Sequence, residues 1–138
     1  MRMIVTALMF VAVIALPARA DDKTTIQKTI SDQIIAFLND DADTAYSFAA
    51  PGIQQKFPDK NAFFEMVRKS YAPVYRPGNY AFGRYLEMEK GVMAFQEVLI
   101  TGTDGKDWKA VYKLVHQPDG SWKIGAVGMF ENKDSQGI

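Results

Sequence analysis

The chain contains no cysteine. That excludes disulfides, thiolate nucleophiles and cysteine-ligated metal centres, so the fold must rest on its apolar core alone. A chain of 138 residues, 48% of them hydrophobic, is large enough and apolar enough for that. Histidine is nearly as scarce. With His116 alone, a zinc site of the usual His/Cys kind has too few ligands, and no metal or other cofactor is expected. A Ser-His-Asp arrangement would have to recruit a distant serine and aspartate to His116, and nothing in the chain positions them. Neither sign of charge is in excess, since 16 Lys and Arg balance 16 Asp and Glu. The basic stripe that neutralises phosphates is therefore missing, as is a polybasic patch for anionic lipid, and neither nucleic acid nor membrane is an expected partner of the mature chain. Glycine-rich nucleotide loops, a nucleophile elbow and paired-histidine metal spacing are absent. So are internal repeats and low-complexity stretches.

A long hydrophobic run is also lacking. The most apolar stretch, Met3 to Leu16, is shorter than the roughly 20 residues a membrane-spanning helix requires. It follows Arg2 and is closed by Pro17 and by Ala18-Arg19-Ala20, with small residues at the two positions a signal peptidase reads. These are the n-region, h-region and cleavage site of a secretory signal. Residues 1–20 are expected to be removed on export, to the periplasm or beyond, leaving a slightly acidic mature chain. A single domain over residues 21–130 and a polar, frayed tail over 131–138 are expected to follow.

Within that domain the apolar rhythm changes once. Ile26, Ile30, Ile34, Phe37 and Leu38 form a helical stripe, predicting a helix from Thr24 to Leu38 that Asn39-Asp40-Asp41 stops. Asp40 or Asp41 is placed to cap a second helix carrying Ala42, Ala45, Phe48 and Ala49, which ends at Pro51. An irregular helical turn over 52–57 follows. Asp59 is placed to cap a further helix that stops near Ser70 or Tyr71, because Pro73 disfavours helical geometry at Ala72. From there the chain is expected to run extended past Pro77. After Tyr80 the period becomes two. Four strands are predicted, over Asn79–Glu87, Val92–Thr101, Trp108–His116 and Ser121–Met129, joined by the turn chemistry of Gly91, Asp104-Gly105 and Pro118-Asp119-Gly120. Helices followed by an antiparallel meander give an α+β fold: N-terminal helices packed on one face of a curved four-stranded antiparallel sheet. The order is similar to the cone of nuclear-transport-factor-2-like, or cystatin-like, domains.

Several segments resemble one family of uncharacterised proteins, domain-of-unknown-function family 4864. They are Gln33-Ile34-Ile35-Ala36-Phe37, Asp40-Asp41-Ala42, Ala45-Tyr46-Ser47-Phe48-Ala49, Met66-Val67-Arg68, Tyr71-Ala72-Pro73-Val74, Arg76-Pro77, Gln96 and Asp119-Gly120-Ser121-Trp122-Lys123-Ile124. The resemblance covers nearly all of the expected mature chain. It implies a small exported bacterial protein and no assigned activity.

Candidate chemistry concentrates in two places. Arg68, Tyr71, Tyr75 and Arg76 flank the extended segment, and two guanidiniums beside two phenols can grip a carboxylate or phosphate by charge-assisted bonds. The alternative is that the arginines bond helix-end carbonyls and the tyrosines pack as a lid. Gln96 alternates with Val92, Ala94, Val98 and Ile100, so it points into the cone with Tyr112 and must be hydrogen-bonded there, by ligand or by protein. The acidic cluster Asp40, Asp41 and Asp43 fits helix capping and lacks the oxygen set of a calcium loop. His116 is expected at a hairpin end, partly solvated. By alternation the second sheet face carries Met93, Phe95, Leu99, Val111, Val115, Val127 and Met129, an apolar set that points to a sheet-to-sheet homodimer. The leading expectation is a non-catalytic binding module that holds a small, partly apolar ligand, with an anionic group as an option, between helices and sheet. An assembly module using the sheet face is the second reading. A pocket enzyme doing proton transfer or hydrolysis is the third, and would need a buried carboxylate near Gln96, Tyr112 and His116.

Overall fold

The computed structural model describes residues 11–12 and 21–133. The expected signal segment, apart from Val11 and Ala12, and residues 134–138 of the expected tail lie outside the described residues.

Helix α1 runs over Asp22–Leu38, opened by the Asp21 carboxylate accepting from the Thr24 amide at 2.7 Å. Its apolar stripe buries Ile26, Ile30, Ile34 and Phe37. Asp40 takes a positive φ of 51°, a conformation aspartate tolerates better than most residues. Asp41 then caps α2 (Ala42–Ser47) by accepting from the Thr44 amide. Helix α3 (Pro51–Lys56) occupies the predicted irregular turn, and α4 (Lys60–Ser70) is capped by Asp59 through the Asn61 amide.

The segment after α4 corrects one expectation. It is not extended: Ala72–Tyr75 forms a short helix, α5, with Pro73 in its first turn. A proline there loses no hydrogen bond, because the first amides of a helix have no intrahelical acceptor, and its fixed φ suits the helix. Pro73 therefore ends one helix and starts the next, with the Tyr71 carbonyl accepting from the Val74 and Tyr75 amides.

Strands β1 (Pro77–Glu89), β2 (Met93–Gly102), β3 (Asp107–His116) and β4 (Trp122–Glu131) make an open antiparallel sheet in sequence order. The five helices among the described residues all precede it, and they pack on one face. The core lies between the layers, where the buried stripe of α1 shares one cluster with Ala94, Val98 and Ile100 of β2, Ala110, Tyr112 and Leu114 of β3, and Trp122 and Ile124 of β4. Each fully buried Ile, Leu or Phe contributes about 1.5–3 kcal/mol, and here no disulfide supplements them.

Of the four register shifts in the sheet, three between β1 and β2 and one between β3 and β4, two bear on the site. In β1 the register shifts between Phe82 and Tyr85. In β4 it shifts where Leu114 faces Ile124 and Lys113 faces Ala126, leaving Gly125 as an extra residue. This second bulge corrects the predicted faces. Strict alternation assigns Val127 and Met129 to the outer side, but beyond Gly125 they stand opposite Tyr112 and Ala110 and pack against the core. An inserted residue moves every later side chain to the other face. The outer face keeps Met93, Phe95, Leu99, Val111 and Val115, and gains Leu86 and Phe130 through their pairing with Phe95 and Lys109.

Candidate functional site

The gap between helix layer and sheet is not filled completely. A cavity of about 300 Å³ opens beside β4. Its walls are Gln33 and Phe37 of α1, Ile53 and Lys56 of α3, Phe57, Phe63, Met66 and Val67 around α4, Tyr71 and Val74 at the α4–α5 junction, and residues 124–127 of β4. The bulge at Gly125 thus forms part of the wall. The walls are mainly apolar and aromatic, with two side chains that carry nitrogen, Gln33 and Lys56. Among the described residues no carboxylate lines the cavity.

Gln33 sits on the buried stripe of α1 and is 3% exposed. Its amide nitrogen donates to the Ala45 carbonyl at 3.1 Å, tying α1 to α2. With the nitrogen held there, Oε1 is the side that accepts, and it has no hydrogen-bond donor among the described residues. Lys56 ends α3 and is exposed, its Nζ 5.9 Å from the centroid of the Phe57 ring. It makes no ion pair among the described residues.

Of the six residues singled out from the sequence, Tyr71 reaches this cavity. Tyr75 and Arg76 gather instead around Asp40. The Tyr75 hydroxyl donates to Asp40 Oδ1 at 2.6 Å, and Arg76 Nη2 donates to the same oxygen at 2.8 Å. Arg76 Nη1 also donates to the Phe37 carbonyl, and the guanidinium lies 4.0 Å over the Tyr75 ring. Arg68 adds its field to this cluster while directing its fork at Glu65, with Nη2–Oε2 at 2.6 Å. One guanidinium and one phenol do converge on a carboxylate, and that carboxylate is the chain's own. The Tyr75 hydroxyl, and after it Arg76, hold the Asp40 carboxyl below its ordinary range, while the same bond pushes the Tyr75 phenol up.

Gln96 and Tyr112 face each other across β2 and β3, both fully buried. The Gln96 amide fills the first bulge: its nitrogen contacts the carbonyls of Gly83, Arg84 and Glu97 at 3.3, 3.1 and 2.8 Å, and its oxygen accepts from Gln27 at 3.2 Å. The Tyr112 hydroxyl is buried without a partner, and burial, with Tyr80 nearby, drives its pKa well above the ordinary phenol range. His116 is exposed at the hairpin end, its ring nitrogens 2.8 and 3.2 Å from the carbonyls of Gly91 and Gly120, and it stacks on Trp122.

Gln33 and Lys56 were not singled out from the sequence as site residues. Gln33 had a signal, a polar residue at helical spacing from Ile26, Ile30 and Phe37. Lys56 had none, because a lysine on a short irregular helix looks like any surface charge.

The family model described as Domain of unknown function (DUF4864) matches residues 19–137. The chain belongs to that family. This membership covers the whole helical layer and the sheet of the DUF4864 domain, cavity included. No curated protein matches the chain. No helix among its described residues is long and apolar enough to cross a membrane. They also hold no group of three or more His, Cys, Asp or Glu side chains that could hold a metal ion.

Proposed function

We propose that this DUF4864 protein is an exported, non-catalytic binding domain that takes a small, partly apolar ligand into the cavity between helices and β4. Export rests on the signal pattern of residues 1–20. Binding rests chiefly on one observation, an apolar, aromatic cavity of about 300 Å³ with a few polar groups, the usual make-up of a small-molecule site. The non-catalytic reading is supported by the acids: the buried polar side chains among the described residues are Thr29, Gln33 and Gln96, so no buried carboxylate stands beside Gln96 and Tyr112.

Thermal-shift screening of the purified protein against small aromatic and aliphatic compounds, neutral and acidic, tests the reading. A ligand at a hundred times its Kd adds about 2.7 kcal/mol, which shifts the melting point of a domain this size by several degrees. Met66→Trp, which fills the cavity from its wall, is expected to abolish the shift while the protein still melts cooperatively. The absence of any stabilising compound across the library would overturn the reading.

A second reading, self-association through the sheet, is favoured by the outer face. Leu86, Leu99 and Phe130 are exposed there at 57%, 38% and 58%, beside Phe95, Met93 and Val115, and none of these belongs to the core.

A further inference from the structure

We infer that the cavity selects a small aromatic acid carrying a hydroxyl, with the hydroxyl donating to Gln33 Oε1 and the carboxylate meeting Lys56. The inference rests on the binding reading above and names the ligand class of that same cavity. Three observations carry it. The first is an acceptor with no donor from the protein among the described residues. Gln33 is 3% exposed and lines the cavity, and its nitrogen is committed to the Ala45 carbonyl. That leaves Oε1 able to accept from a ligand O–H, and on a mainly apolar wall such a bond meets less competition from water than it would in bulk solvent. The second is charge. Lys56 is the one cationic side chain on the wall, it has no ion-pair partner among the described residues, and no carboxylate there competes for it. Lys56 is exposed and Gln33 buried, so the cation stands toward solvent and the acceptor toward the interior. The third is shape. Phe37, Phe57, Phe63 and Tyr71 supply ring faces and edges, which favour a flat ring in offset or edge-to-face contact. An apolar ring with a donor at its inner end and an anion at its outer end satisfies all three.

Calorimetric titration of the purified protein with three matched probes tests this. 4-Hydroxycinnamate carries both groups, cinnamate lacks the hydroxyl, and 4-hydroxycinnamyl alcohol lacks the charge. 4-Hydroxycinnamate is expected to bind about tenfold tighter than cinnamate, the scale of one net hydrogen bond. It is expected to bind about fivefold tighter than the alcohol, the scale of an exposed ion pair. Lys56→Gln, a surface change that removes the charge and spares the core, should erase the preference for acid over alcohol, and an undiminished preference would overturn the role given to Lys56. Equal affinity for all three probes would overturn the inference while leaving a binding cavity in place. Binding of none of the three, with other compounds stabilising the protein in the thermal screen, would overturn the ligand class alone. Failure of both experiments would remove the cavity reading with it.

Discussion

Tyr112 and Asp40 are opposite cases of a polar group on an apolar scaffold. The Tyr112 hydroxyl is fully buried and bonds nothing. Removing an unsatisfied buried hydroxyl relieves a desolvation cost, so Tyr112→Phe is expected to leave stability unchanged or raise it by about 1 kcal/mol, read from the urea midpoint at constant m-value. A loss of that size would mean the hydroxyl has an unseen partner. Asp40 instead accepts from both Tyr75 and Arg76 at the end of α1. Because its carboxyl is held below the unfolded-state value near 3.9, first by the Tyr75 bond and then by Arg76, the stabilisation is complete above that value. It is lost as pH falls through the lower, folded-state value. Stability should therefore decline in acid, and Asp40→Asn should flatten part of the decline. A pH-stability curve unchanged by that substitution would show that the cluster contributes nothing.

At the scale of the element, the bulges between Phe82 and Tyr85 and at Gly125 decide what β1 and β4 present. Gln96 occupies the β1 bulge, and replacing it with leucine strands the carbonyls of Gly83 and Arg84. Gln96→Leu is expected to cost about 2 kcal/mol despite adding apolar surface, as measured by equilibrium unfolding. Gly125 marks the other bulge, where a Cβ would stand 3.0 Å from Val115 Cγ2. Gly125→Val should therefore destabilise by about 1–3 kcal/mol, seen as a lowered melting point, through crowding between β3 and β4. Bulges also mark where the amino-acid pattern ceased to be legible. The stripe of α1, the caps at Asp41 and Asp59 and the turn glycines are local features, and each appears where its chemistry places it. Val127 and Met129 were assigned outward because nothing local distinguishes Gly125 as an insertion from Gly125 as one more residue in the alternation. The α5 turn was missed for a related reason, since a proline forbids helix behind it and favours helix ahead of it. The cavity depends on long-range packing between α1, α3, α4 and β4, and only Tyr71 among the candidates was placed on its wall.

Across the whole molecule, two faces remain available to partners, the cavity and the outer sheet. If the sheet face pairs two copies, light scattering at micromolar concentration should report a dimer mass that Leu99→Lys or Phe130→Lys reduces to the monomer. A monomer in the unaltered protein would leave that face to another role. The open sheet also has two rims. Along the β4 rim, the segment between α2 and α3 lies parallel to the strand, with the Ile124 amide donating to the Phe48 carbonyl and the Ala50 amide to the Ile124 carbonyl, both at 2.8 Å. A free strand rim recruits further strands, the first step of runaway polymerisation. Three residues of linker therefore act as a stopper on one side of the molecule, and the β1 rim is the side from which strand-to-strand growth would begin.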